Sequence, residues 1–185
     1  MAIYPTRQTE SSRDDQQSPP PGRLWRQLPI ERRREVARAF WSDPQGTAEH
    51  AEALAWMTKQ LNFRLKTLQR LPIEVKIQHL SSLRGVPDTV AVRALVAYHL
   101  AAKREMMGVF LDSLGIAHDN GAITTEGLNA PAPAALAEAA GKLGQQYPRE
   151  DVDLYFSTLT AQDPDTWGGL GEFIAGEQKD KEQGS

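Results

Sequence analysis

Leu28-Pro29-Ile30-Glu31 reads LPIE, and the same four letters return at Leu71-Pro72-Ile73-Glu74, 43 residues further on. Proline fits the first position of a helix, where its missing N–H costs nothing. Glutamate in the first turn suits the exposed N–H dipoles of a helix start. LPIE is therefore a phrase that opens a helix, and the chain uses it twice. After the first copy, Ile30, Ala37, Phe40 and Trp41 follow at helical spacing until Ser42-Asp43-Pro44-Gln45-Gly46 breaks the pattern. Thr47 suits the N-cap of a longer helix. After the second copy, Ile73, Ile77, Leu80 and Leu83 form one stripe that Gly85-Val86-Pro87 ends, and Asp88 suits the next N-cap.

These signals predict helices over 29–42, 47–70, 72–84 and 88–114. Each LPIE opens a short helix followed by a long one, so the expected fold is all-α: two antiparallel helical hairpins, HEAT-like or bundle-like, with small C-terminal helices. The period of 43 lies within the ~40–47 residues of HEAT or armadillo units. A trace of a third copy stands at Leu114-Gly115-Ile116-Ala117, and Trp25, Leu68 and Leu111 each sit three residues before a copy. The third copy lacks Pro and Glu, and its Gly115 reads as a helix C′ stop. Duplication and convergent use of a good helix start both fit. The predicted core comprises Ile30, Phe40, Leu54, Leu61, Leu65, Leu68, Ile73, Ile77, Leu80, Leu95, Met106, Phe110 and Leu114. No run shows period-two alternation, so no β-sheet is expected.

Outward from this frame the composition changes. Residues 1–22 are polar and end in Ser18-Pro19-Pro20-Pro21-Gly22, a segment too poor in apolar surface to order itself. Structure is expected from about Leu24, with a helical body over 23–116, an acidic segment over 117–176 and a second disordered tail over 177–185. Residues 1–116 carry 17 Lys/Arg and 12 Asp/Glu, a net +5, whereas 117–185 carry 4 and 12, a net −8. A basic front and an acidic back suggest a charged partner or a segment that docks on its own body. The apolar face of Phe156, Leu159, Trp167 and Leu170 would make that docking contact. There is no cysteine, so no disulfide framework and no thiolate metal site. The start shows no apolar secretory core and no stretch has membrane-spanning length, which makes the cytoplasm the default expectation.

The search for chemistry is mostly negative. His50, His79, His99 and His118 have no metal-ligand spacing, and His99 reads as a packed, hydrogen-bonded histidine. Asp119-Asn120-Gly121 lacks the flanking carboxylates of a calcium loop. Gly168-Gly169-Leu170-Gly171 has neither the strand nor the lysine of a phosphate loop. Glu150, Asp151 and Asp153 read as helix-start carboxylates, and Arg32-Arg33-Arg34 as a solvated face. No cofactor is expected.

Two surfaces remain. Residues 72–104 resemble a degenerate helix-turn-helix, in which Lys76, Arg84, Thr89 and Arg93 would meet nucleic acid. The turn is one residue short, the second helix is long, and its first turn offers poor base-reading side chains. The other surface lies on the predicted 47–70 helix. Leu54, Leu61, Leu65 and Leu68 make one stripe, and Trp56 and Phe63, seven apart, share a second face about 200° away. A helix apolar on two sides is sandwiched or keeps one side for a partner. The favoured expectation is a non-enzymatic protein-interaction or scaffold module using Trp56 and Phe63, with another protein or a second copy as partner. The alternative is a nucleic-acid-binding regulator.

Overall fold

The computed structural model describes residues 20–174. The expected disordered tails, 1–19 of the first and all of 177–185, lie outside the described residues. The fold is all-α. Its helices run α1 (Pro21–Gln27), α2 (Ile30–Ser42), α3 (Thr47–Leu61), α4 (Leu65–Arg70), α5 (Ile73–Ser82), α6 (Asp88–Ala102), α7 (Arg104–Ser113), α8 (Pro133–Gln146), α9 (Arg149–Gln162) and α10 (Pro164–Trp167). A 3-10 turn, Gly168–Leu170, follows α10.

Each LPIE both ends one helix and starts the next. Leu28 closes α1 by donating its N–H to the Trp25 carbonyl, and Leu71 closes α4 on the Leu68 carbonyl, each at 3.2 Å. Pro29 and Pro72 hold the N-cap, one position before the first helical residue, with φ of −59° and −55°. The helices they open, α2 and α5, pack on each other, and α2 also lies along α6. Trp25 and Leu68, the apolar residues before each copy, are fully buried.

Ordered structure starts earlier than the sequence suggested. Pro21 takes the first position of α1, inside the stretch read as tail. The Gly22 amide donates to Asp88 Oδ1 at 2.8 Å. A Cβ on Gly22 would meet that oxygen at 2.8 Å and the Val86 carbonyl at 3.0 Å, so a larger residue there would push against the start of α6. Asp88 therefore caps α1 rather than its own helix, whose N-cap is Pro87. Likewise Gly46, not Thr47, caps α3.

Both long helices are broken. The expected 47–70 helix ends at Leu61 because Asn62 takes the left-handed conformation, φ 54°, which asparagine tolerates better than most side chains. The expected 88–114 helix bends at Lys103, φ −130°. Hydrogen bonds continue across the bend, from Lys103 N–H to the His99 carbonyl and from Met107 N–H to the Lys103 carbonyl. Gly115, φ 68°, stands where a C′ stop was expected.

The expectation of no β-structure is corrected by a two-residue hairpin. His118–Asp119 (β1) pairs antiparallel with Ala122–Ile123 (β2), in the register His118↔Ile123 and Asp119↔Ala122. Asn120 and Gly121 both have positive φ, 49° and 88°, the signature of a tight type I′ turn. A Cβ on Gly121 would strike the Met107 Cβ at 2.8 Å, so the turn is seated on α7.

Two apolar clusters fill the interior. The first joins α1–α6 through Trp25, Phe40, Met57, Leu68, Ile77, Leu80 and Leu95. The second joins α7 to α8–α10 through Met106, Phe110, Leu111, Leu143, Tyr155 and Phe156. Helix α9 serves both, since its Leu154 and Ala161 pack on the first cluster. Phe156, Leu159, Trp167 and Leu170 are buried, so the acidic segment is packed onto the body through these side chains. Of the predicted core, Phe40, Leu68, Ile77, Leu80, Leu95, Met106 and Phe110 are buried, while Leu54, Leu61 and Leu114 are half-buried. Ile30, Leu65 and Ile73 are exposed instead, at 36%, 43% and 45%. Each is the first residue of its helix, where the chain arrives from the outside and a side chain need not face the interior.

Candidate interaction surface

Five large apolar side chains of the described chain are exposed, and three of them, Phe63, Leu65 and Ile73, fall within one short stretch. The break at Asn62 makes this surface. It ends α3, leaves Phe63 and Arg64 exposed in the link, and is followed by α4, a six-residue helix that buries only Leu68. Phe63 is 41% exposed. Its ring stands edge-on to His79 of α5, centroids 5.6 Å apart, which fixes its orientation. Lys59, Arg64, Lys66 and Arg70 surround these residues in the chain; all are exposed and none has an acidic partner among the described residues. The nearest acid in sequence, Glu74, is held by Arg38 at 2.6 and 2.9 Å. The result is a short stretch that exposes apolar side chains between cations.

Trp56 and Phe63 do not share a helical face, because Phe63 lies beyond the end of α3. Trp56 is half-buried and donates its indole N–H to the Gly85 carbonyl at 3.0 Å. It ties α3 to the α5–α6 link, while Phe63 remains open to solvent. Leu65, which the stripe argument placed in the core, joins Phe63 on the surface.

The residues of the helix-turn-helix reading are largely engaged by the protein itself. Thr89 donates to Glu52 Oε2 at 2.6 Å. Arg93 pairs with Asp43 at 2.5 Å. Lys76 donates to the Gln69 carbonyl at 2.9 Å and lies over the Trp41 ring, 6.0 Å from its centroid. Arg84 is exposed. Helix α6, which would be the reading helix, is a central element that packs on α1, α2, α3 and α9.

A polar cluster between α2, α6 and α9 went unread in the sequence. Asp151 is buried, with Lys103 at 2.6 Å and Arg32 at 3.4 Å. It is a buried anion and not merely a helix-start carboxylate. The arginine run splits accordingly. Arg32 also donates to Tyr98 Oη, Arg33 donates to the Leu83 carbonyl at 3.0 Å, and Arg34 alone of the three is exposed. The charges lie far apart in sequence, so only the docking of α9 reveals the cluster.

His99, 1% exposed, is the packed histidine the sequence suggested. Its Nε2 lies 3.2 Å from Thr158 Oγ1. That hydroxyl gives its own hydrogen to the Leu154 carbonyl at 2.7 Å. Nε2 therefore carries the proton, and Nδ1 is left as an acceptor without a partner among the described residues. The Tyr155 hydroxyl is similarly unpartnered, and burial raises its pKa. Burial is also the main cause that pushes the His99 pKa down to about 3; Lys103 and Arg32 add to it and Asp151 opposes it. Neither principal surface groove is lined by a residue of this cluster.

The lowered pKa has a consequence for stability. In the unfolded chain a histidine titrates near 6.5. Between about pH 6.5 and about pH 3 the unfolded chain binds the extra proton and the folded one does not. Stability is thus fully present above this window and falls as the pH drops through it, by up to about 1.4 kcal/mol per unit. Urea midpoints measured across the window should fall less steeply in His99→Gln than in the parent. Parallel slopes would show that His99 is charged in the fold.

Among the described residues, no group of three or more His, Asp or Glu could hold a metal ion, and no helix is long and apolar enough to cross a membrane. No protein-family model, curated protein or solved structure matches the chain.

Proposed function

We propose that the protein is a non-enzymatic helical interaction module whose docking surface is the corner Phe63–Ile73. The observation that carries this reading is that Phe63, Leu65 and Ile73 are all exposed within one short stretch of chain, among exposed cations with no acidic partner among the described residues. Exposed apolar side chains scattered singly need no explanation, but a group of them does. Aromatic anchors ringed by polar groups are the usual source of interface energy. A protein partner with an acidic rim fits better than nucleic acid, since the centre of the surface is apolar and α6 is committed to the core.

The double change Phe63→Ser with Leu65→Ser tests this. Both side chains are more than a third exposed, so the fold should lose no more than about 1 kcal/mol. Affinity capture from the native cell, quantified against the parent, should lose its specific partners. Trp56→Ala serves as the contrast: it breaks the tie to Gly85 and should lower the melting temperature. A folded double variant that captures what the parent captures would remove this corner from consideration.

A further inference from the structure

A groove of about 440 Å³ lies on the C-terminal half of the molecule, between the 130–133 segment, the start of α8 and the α10 region. Pro131, Pro133, Leu136 and Phe173 give it an apolar floor, and Asp165 and Glu172 stand on its rim. No lysine or arginine lines it. Asp165 and Glu172 are exposed, and neither carboxylate has a cation partner among the described residues. The 63–73 stretch has the opposite character to this groove. It exposes Phe63, Leu65 and Ile73, and the neighbouring Lys59, Arg64, Lys66 and Arg70 are exposed with no acidic partner among the described residues. One chain thus carries an apolar knob among bases and an apolar groove among acids, in the two halves built on separate apolar clusters. The sequence is likewise basic over 1–116, net +5, and acidic over 117–185, net −8.

We propose that the Phe63–Leu65 knob of one copy docks in the Pro131–Phe173 groove of a second copy. This rests on the corner being a docking surface and names its occupant. The apolar centre supplies burial, and the two carboxylates facing the four cations set the register and the encounter rate. Because knob and groove are different patches, the contact is head to tail. Such a contact continues into longer chains unless its rotation closes a ring.

Sedimentation velocity on the full chain, from about 10 to about 300 μM, spans the range of a weak contact. The weight-average sedimentation coefficient should rise with concentration at low salt. It should fall back toward the monomer value at about 0.5 M salt, where the Debye length is only ~4 Å. Arg64→Glu with Lys66→Glu reverses the knob, and Asp165→Lys with Glu172→Lys reverses the groove. Each variant alone should stay monomeric, since its knob and groove now repel. An equimolar mixture should associate again, because the acidic knob of one fits the basic groove of the other. The mixture also controls for misfolding, as an unfolded variant would not restore the contact.

A parent that stays monomeric at every concentration and salt would overturn the proposal. So would reversed variants that associate as the parent does, or a mixture that remains monomeric. A monomeric parent whose partner capture is still lost in Phe63→Ser with Leu65→Ser would leave the docking surface standing with a different occupant. A monomeric parent that binds a short DNA duplex, and loses it on reversal of Arg64 and Lys66, would replace self-association with nucleic-acid binding.

Discussion

A chain ending at Gln146 is expected to lose its cooperative thermal transition, or to melt far below the parent. Helix α9, α10 and the turn after them contribute Val152, Tyr155, Phe156, Leu159, Trp167 and Leu170 to the second apolar cluster, all buried. At about 1.5–3 kcal/mol for each large apolar side chain, removing them forfeits roughly 10 kcal/mol or more. That is comparable with the whole stability of an ordinary domain, about 5–15 kcal/mol. Met106, Phe110 and Leu111 of α7 would be uncovered, so ANS fluorescence should rise as near-ultraviolet dichroism falls. In the full chain, added salt should shift the melting temperature only slightly. The Arg32 and Lys103 ion pairs are a minor part of the contact beside its apolar area. A truncated chain that melts cooperatively within a few degrees of the parent would mean that α7 and α8 hold their structure without α9.

The second large effect is expected at Trp25. Its side chain is fully buried and its indole N–H reaches the Leu83 carbonyl at 2.9 Å. It is the main anchor of α1, a helix of only seven residues, too short to persist on its own propensity. Trp25→Ala should cost about 3–5 kcal/mol in urea denaturation. The Leu83 carbonyl keeps the Arg33 donor, so most of the loss is cavity and not an orphaned acceptor. Trp25→Phe retains most of the volume and should lose markedly less. An alanine variant within about 1 kcal/mol of the parent would show that α1 is only loosely attached.

Much of the architecture was legible along the chain because its signals are local. The two LPIE phrases, the breaker at 42–46 and the Gly115 stop each act on the backbone within a turn of themselves, and each was found where a helix starts or ends. The absence of alternation made the chain all-α; the one hairpin escaped because its strands are two residues long and only Asn120-Gly121 announced it. The shared face of Trp56 and Phe63 was not legible in the sequence, because Phe63 lies beyond the end of α3. A stripe counted at 100° per residue assumes an unbroken helix, and one left-handed residue at Asn62 rotates everything after it. Leu65 thereby moved from the predicted core to the surface, and Trp56 and Phe63 parted.

Tertiary structure alone decided which side chains are covered. Ile30 and Ile73 have helical spacing to their stripes, yet each stands partly exposed at the first residue of its helix. Asp151 looked like any carboxylate at a helix start until α9 packed on α6 and brought it to Arg32 and Lys103. The same packing sealed His99 away from water. Periodicity and capping depend on neighbours in sequence, which the chain states for itself. Burial and charge pairing depend on neighbours in space, which exist only once the helices have met.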